Sequence, residues 1–177
     1  MIYFIGDLHL DHENIIRYCD RPFPNADAMN KVLISNWKRA IKDYDIVYFL
    51  GDLAFGRHSR STRYWRKQLT GKVIFIRGSH DRGIGRSKAT LKYGQYTFIM
   101  VHNPNDIEWT KKDNVWMIHG HTHNHNTNYP FINGDRNTIN VSVELTKYKP
   151  VSIDFLLGLN LDSIKRMDTI SSTPERK

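Results

Sequence analysis

Five short apolar runs in this chain each hand over directly to side chains of the kind that hold metal ions. Ile2 to Ile5 leads into Gly6-Asp7-Leu8-His9, Ile46 to Leu50 into Gly51-Asp52, and Val73 to Ile76 into Arg77-Gly78-Ser79-His80-Asp81. Phe98 to Val101 ends at His102, and Val115 to Ile118 leads into His119-Gly120-His121-Thr122-His123. Such runs read as strands, and glycine at four of the five exits lets the backbone turn sharply or approach closely. In open α/β sheets the carboxyl ends of the strands form the binding crevice, so residues placed there converge. Imidazole and carboxylate are donors that first-row divalent metals take readily. Each element alone has a plain explanation, a surface turn or a hydrogen-bonded bystander histidine. Seven of the nine histidines (His9, His12, His80, His102, His119, His121 and His123) lie within or beside these exits, however, and core packing gives no reason for that.

The rest of the chain organises around these runs. An amphipathic helix is predicted over Asp27 to Ile41, with Met29, Leu33, Trp37 and Ile41 four apart, and a shorter one over Ser59 to Leu69. The opening strand–helix–strand–helix–strand order predicts a parallel sheet with right-handed crossovers. Beyond residue 90 the pattern changes to an expected antiparallel half. Thr90 to Tyr93 and Tyr96 to Val101 flank a hairpin turn at Gly94-Gln95. Ile139 to Leu145 alternates as one strand and Pro150 to Ile153 forms another, followed by a weak helix interrupted by Gly158. The chain reads as one α/β domain over residues 1–165, with a polar tail from Arg166 expected to fray.

Among 177 residues, 40% are hydrophobic, enough for a sizeable core, and no apolar stretch is long enough to span a bilayer. The single cysteine, Cys19, forms no intramolecular disulfide, and the first residues show no basic leader, so a cytoplasmic location is expected. The net charge of +8 is concentrated. Arg57 to Lys92 holds eleven basic residues and one acid, Asp81, and Arg57, Arg60, Arg63 and Arg66 recur at helical spacing. A solvated helix face accounts for such a stripe; the sharper reading is a patch for phosphate-rich ligands.

In order, Asp-x-His, Gly-Asp, Gly-x-His-Asp, a lone His and Gly-His-x-His run from Asp7 to His123, a pattern that resembles the calcineurin-like metallophosphoesterases. The segment Asp7 to Ile16, with Arg21-Pro22-Phe23 following, is similar to small prokaryotic and phage members. The resemblance implies a four-layer α/β/β/α sandwich of two mixed sheets with two divalent metal ions at the strand ends. Asp7, His9 and His123 would hold one ion, and His102, His121 and Ser79 the other. Asp52 would bridge them, and His80 would face the leaving group. The sequence departs from the family at Ser79, where asparagine is expected, and a serine hydroxyl is a shorter and poorer ligand than an amide oxygen.

These assignments imply attack on phosphorus by a metal-bridging hydroxide, with His80 stabilising the departing alkoxide. Two ions offset by two aspartates and a hydroxide leave a positive centre, which suits a singly charged phosphodiester. Arg57, Arg77, Arg82 and His12 are candidates for substrate contacts. Phe55 and Gly56 stand where the protein Ser/Thr phosphatase branch has an acid and an arginine, which argues against that branch. A phosphodiesterase acting on a nucleotide, nucleic-acid or other small diester is the expected function, with a phosphomonoesterase second. Manganese is the first-choice ion, and iron, nickel, cobalt or zinc also fit mixed N/O donors. Two non-enzymatic alternatives stand beside this: a scaffold on the same fold, as in a retromer subunit, and a nucleic-acid-binding module driven by the basic segment. The retained histidines disfavour the scaffold.

Overall fold

The computed structural model describes residues 1–176. Its first sheet opens with three parallel strands, β1 (Ile2–Ile5), β2 (Ile46–Phe49) and β3 (Lys72–Phe75), paired in the order β3-β2-β1. Two helices separate the first two strands: α1 (Glu13–Tyr18) and α2 (Ala26–Ala40). The side chain of Asn25 caps α2 by accepting from the Ala28 N–H at 2.8 Å. Met29, Leu33 and Trp37 form the buried stripe that holds α2 to the sheet.

The basic stripe does not lie on a helical face. The helix after β2, α3, covers only Thr62–Arg66, because the chain is capped at Ser61, whose side chain accepts from Tyr64 N–H at 3.2 Å. Arg57 and Arg60 therefore precede it, and Arg60 turns to Asp27 at 3.3 Å.

The second sheet is mixed rather than antiparallel. β4 (Lys88–Tyr93) and β5 (Tyr96–Val101) form the expected hairpin, but β6 (Val115–His119) and β8 (Thr138–Asn140) run parallel to β5. The connection after β5 is long enough for a crossover, which a parallel neighbour needs and a hairpin does not. The long strand expected over Ile139 to Leu145 pairs with β6 only through Asn140, and the chain then leaves to bridge Gly6 at Ser142. β7 (Ile132–Asn133), β10 (Ile164–Met167) and β11 (Glu175–Arg176) complete the order β11-β10-β7-β8-β6-β5-β4. The tail expected to fray thus forms a sheet edge. Met167 is buried, and Ile170 packs against the same core, which anchors the segment.

β9 (Val151–Ser152) returns to the first sheet, antiparallel to β1, and runs directly into α4 (Ile153–Gly158). The two sheets share one core: Phe4, Tyr48, Leu50 and Ile76 meet Phe98, Met100, Trp116 and Ile118. Burying a side chain such as Phe4 contributes about 1.5–3 kcal/mol. On the other face of the first sheet, Ile5, Val47 and Phe49 pack against the stripe of α2 and Trp65 of α3. Among the described residues no helix is long and apolar enough to cross a membrane.

Candidate metal centre

The strand exits run side by side, and this brings the donors together. Asp7 N–H donates to Gly51 O at 2.9 Å and His9 N–H to Asp52 O at 2.9 Å, so the loops after β1 and β2 are zipped along their backbones. Asp81 joins the loop after β3 to them. Its carboxylate accepts from the N–H groups of Asp52 (2.7 Å), Gly78 (2.9 Å) and Leu53 (3.1 Å). His80 N–H donates to Asp52 Oδ1 at 2.8 Å. From the second sheet, His121 N–H donates to both oxygens of Asp7, at 3.0 and 3.1 Å.

Donors collect in overlapping sets. Asp7, His9 and His123 form one, and Asp52, His102 and His121 another; His80 joins His9 and Asp52 in a third. Asp52 Oδ2 lies 3.5 Å from His9 Nε2 and 3.4 Å from His102 Nε2, between the two principal sets. Ser79 Oγ reaches the second set, 3.4 Å from His102 Nε2 and 3.5 Å from His121 Nδ1. A side chain with an amide oxygen there would extend farther toward those nitrogens. Ser79→Asn should therefore tighten divalent-ion binding about tenfold in a competition titration with a chelating dye, and unchanged binding would place residue 79 outside the ligand shell.

The residues fit divalent ions on three grounds. Both ring nitrogens of His9 are buried and have no hydrogen-bond partner among the described residues, an arrangement that costs free energy unless a ligand is taken up. His102 Nδ1 is 2.7 Å from Leu50 O, a carbonyl that only accepts, so Nδ1 carries a proton and Nε2 is the ring atom turned toward Asp52 and His121. The backbone is also strained at the donors. Asp7, His9, Asp52, His121 and His123 all have left-handed φ, between +46° and +68°. Such conformations cost roughly 1–3 kcal/mol each and collect at functional sites.

Two glycines are needed for close approach. A Cβ on Gly120 would come within 2.4 Å of Asp7 Oδ2, and one on Gly78 within 2.3 Å of Asp52 Oδ1.

The electrostatics describe a pocket built to hold positive charge. Burial alone would raise the Asp52 carboxyl, but His102 and His9 hold it well below the usual carboxylate range. Burial opposes protonation of His102 and His123, yet the carboxylates of Asp52 and Asp7 push His102 up to about 9, and Asp7 and Glu144 push His123 up to about 11. At His9 burial wins: it outweighs the nearby Asp52 carboxylate and, with His123 and Arg21, drives the ring well below its ordinary value.

Sequence reasoning missed the layer behind the donors. Arg21 is fully buried, and its Nε and Nη2 donate to Glu144 Oε1 at 2.9 and 2.7 Å. The same guanidinium donates to the carbonyls of Asp7 (2.8 Å) and Leu8 (2.9 Å), gripping the loop after β1. Glu144 in turn stands 3.0 Å from His123 Nδ1, which directs the other ring nitrogen of His123 toward the centre. Burial would raise Glu144, but Arg21 and His123 hold it at about 2. Ser142 Oγ donates to Asp7 Oδ2 at 2.8 Å.

The substrate-contact candidates divide. His12 is buried beside the centre, its ring 5.4 Å from that of His9. Arg77 is exposed and donates to Gly85 O at 3.2 Å, and it lines an open groove together with Ser79, His102 and Lys88. Arg57 and Arg82 are exposed on the loops that carry Asp52 and His80. His119 lies away from the donors, packed against the Tyr129 ring at 4.9 Å, and burial pushes it down to about 4.

Stacked mixed sheets with carboxylate and imidazole donors at the strand ends define an α/β protein with a candidate metal centre. The chain belongs to the calcineurin-like phosphoesterase family, whose sequence model matches residues 1–156. It is similar to the uncharacterized protein MJ1445 of Methanocaldococcus jannaschii, 48% identical over 160 residues that cover 89% of this chain and 90% of that protein. It is also similar in fold to the crystal structure of a protein of unknown function, AQ665 from Aquifex aeolicus. That match has a TM-score of 0.69 and 24% identity, and covers 90% of this chain and 98% of the other.

Proposed function

We propose that this protein is a metal-dependent phosphodiesterase whose centre takes two divalent ions. One observation carries the reading: Asp52 Oδ2 stands between two donor sets, 3.5 Å from His9 Nε2 and 3.4 Å from His102 Nε2. Asp7, His9 and His123 would hold one ion, and His102, His121 and Ser79 the other, with Asp52 shared. Bound there, divalent ions would polarise phosphoryl oxygens and make water nucleophilic at neutral pH.

The chain's own residues do the rest. The backbone bond from His80 to Asp52 fixes the base of an exposed imidazole at the edge of the centre, where it can donate to the oxygen of a departing group. Ser79 is exposed beside it, so a substrate can extend outward on that side. Two divalent ions outweigh the charge of Asp7 and Asp52, which favours an anionic ester, and a diester carries the single charge that such a centre neutralises. Manganese is the ion of first choice, and iron, cobalt, nickel and zinc match the same donors.

The test is a matrix of metals and substrates. Chelated protein, reloaded with each ion, is assayed on an aryl phosphodiester and an aryl phosphomonoester. Turnover of the diester is expected, turnover of the monoester alone would overturn the substrate choice, and inactivity with every ion would leave the scaffold reading. His80→Ala should lower diester turnover about a hundredfold while elemental analysis shows the metal content of the parent protein. Loss of metal would instead make His80 a ligand.

A further inference from the structure

The mouth of the centre carries a strip of aromatic rings drawn from three separate segments. The Phe55 ring, on the loop after β2, lies 4.0 Å from the His80 ring at a shallow 32°. It also meets His12 edge-on at 4.9 Å, and His12 meets Tyr18 of α1 edge-on at 6.4 Å. Core packing does not account for the ends of this strip, because Phe55 is 41% exposed and Tyr18 is 57% exposed. Exposed cations flank it in sequence: Arg57 is two residues beyond Phe55, and Arg82 two beyond His80.

We infer that Phe55 and Tyr18 form a stacking platform for a nucleobase on the leaving-group side, so that the substrate is a nucleoside phosphodiester. The inference rests on the phosphodiesterase reading, since it takes His80 as the residue facing the departing oxygen. A group leaving past His80 runs straight onto the Phe55 ring. Any nucleobase can stack on such an aromatic face. Arg57 and Arg82, exposed on the same two loops, are cations that neighbouring phosphates of a strand would pair with.

Binding tests the platform independently of turnover. Fluorescence anisotropy with chelated protein compares labelled oligothymidylate with an abasic strand of equal length and equal charge. Wild-type protein should bind the oligothymidylate about tenfold more tightly. The double variant Tyr18→Ala/Phe55→Ala should reduce that ratio to near one, and Phe55→Trp should keep it. Equal affinity of wild-type protein for the two strands, or a preference that survives the double variant, would overturn the platform. The turnover arm uses manganese-loaded protein on thymidylyl-thymidine and its abasic counterpart, with the same ratio expected in kcat/KM. Base preference in binding with no hydrolysis of either diester would support the platform and overturn the hydrolase reading instead.

Discussion

Replacing Arg21 by methionine should destabilise the protein by about 3–5 kcal/mol, read as a lower midpoint in urea unfolding. The size follows from what is left behind. Glu144 is a buried carboxylate, and Arg21 gives it two hydrogen bonds through Oε1. Methionine matches the guanidinium in bulk but leaves that charge without compensation. The same change releases the carbonyls of Asp7 and Leu8 and loosens the hold of Glu144 on His123. A second substitution separates these effects. Arg21→Met/Glu144→Leu should recover much of the stability, because an apolar pair replaces an orphaned charge. It should not recover metal content, because His123 has then lost the partner that orients it. A loss below about 1 kcal/mol in the single variant would show that the pair is dispensable.

Gly78→Ala should empty the centre more completely than the loss of any one donor. The added methyl would sit 2.2 Å from the Asp52 amide nitrogen and 2.3 Å from Oδ1, and backbone cannot swing aside as a flexible side chain does. Overpacking of this kind costs about 3 kcal/mol or more. The displaced residue is the carboxylate that lies between both donor sets, so bound divalent metal should fall. Gly83→Ala is the natural comparison, five positions along the same loop. Its φ of +74° strains an alanine, but nothing lies within 4 Å of the new methyl. It should lose about 1 kcal/mol and keep its metal. Equal metal content in the two variants would refute the steric account.

How much of this was readable from the chain depends on which face of each segment faces water. The donors after β1, β2, β3, β5 and β6 stand out because ligand residues after apolar runs repeat one arrangement five times. The alternation from Ile139 to Leu145 was read through its apolar members alone. Alternation of this kind ordinarily turns the polar members, here Asn140, Ser142 and Glu144, to solvent. In the folded protein that face meets the donors: Ser142 bonds Asp7 and Glu144 bonds His123. Nothing local distinguishes a polar face turned to water from one turned to a buried charge. Arg21 was invisible for the same reason, since its partner lies 123 positions away. The basic stripe erred in the other direction. Its spacing was helical, but Ser61 starts the helix too late to include Arg57 or Arg60.

The return of β9 to the flank of β1 has a consequence for how the molecule is made. β1 lies far ahead of its partners in the sequence: its outer neighbour is Val151–Ser152, and Asp7 at its exit bonds to His121 and Ser142. Contacts of such long sequence separation form slowly, because the intervening chain must be closed before they repay the closure. A nascent chain released before residue 142 would therefore expose a half-finished sheet and a carboxylate with no hydroxyl to meet it. The surroundings of Asp7 are thus finished only after the segments carrying His121 and Ser142 have been made and folded back onto β1.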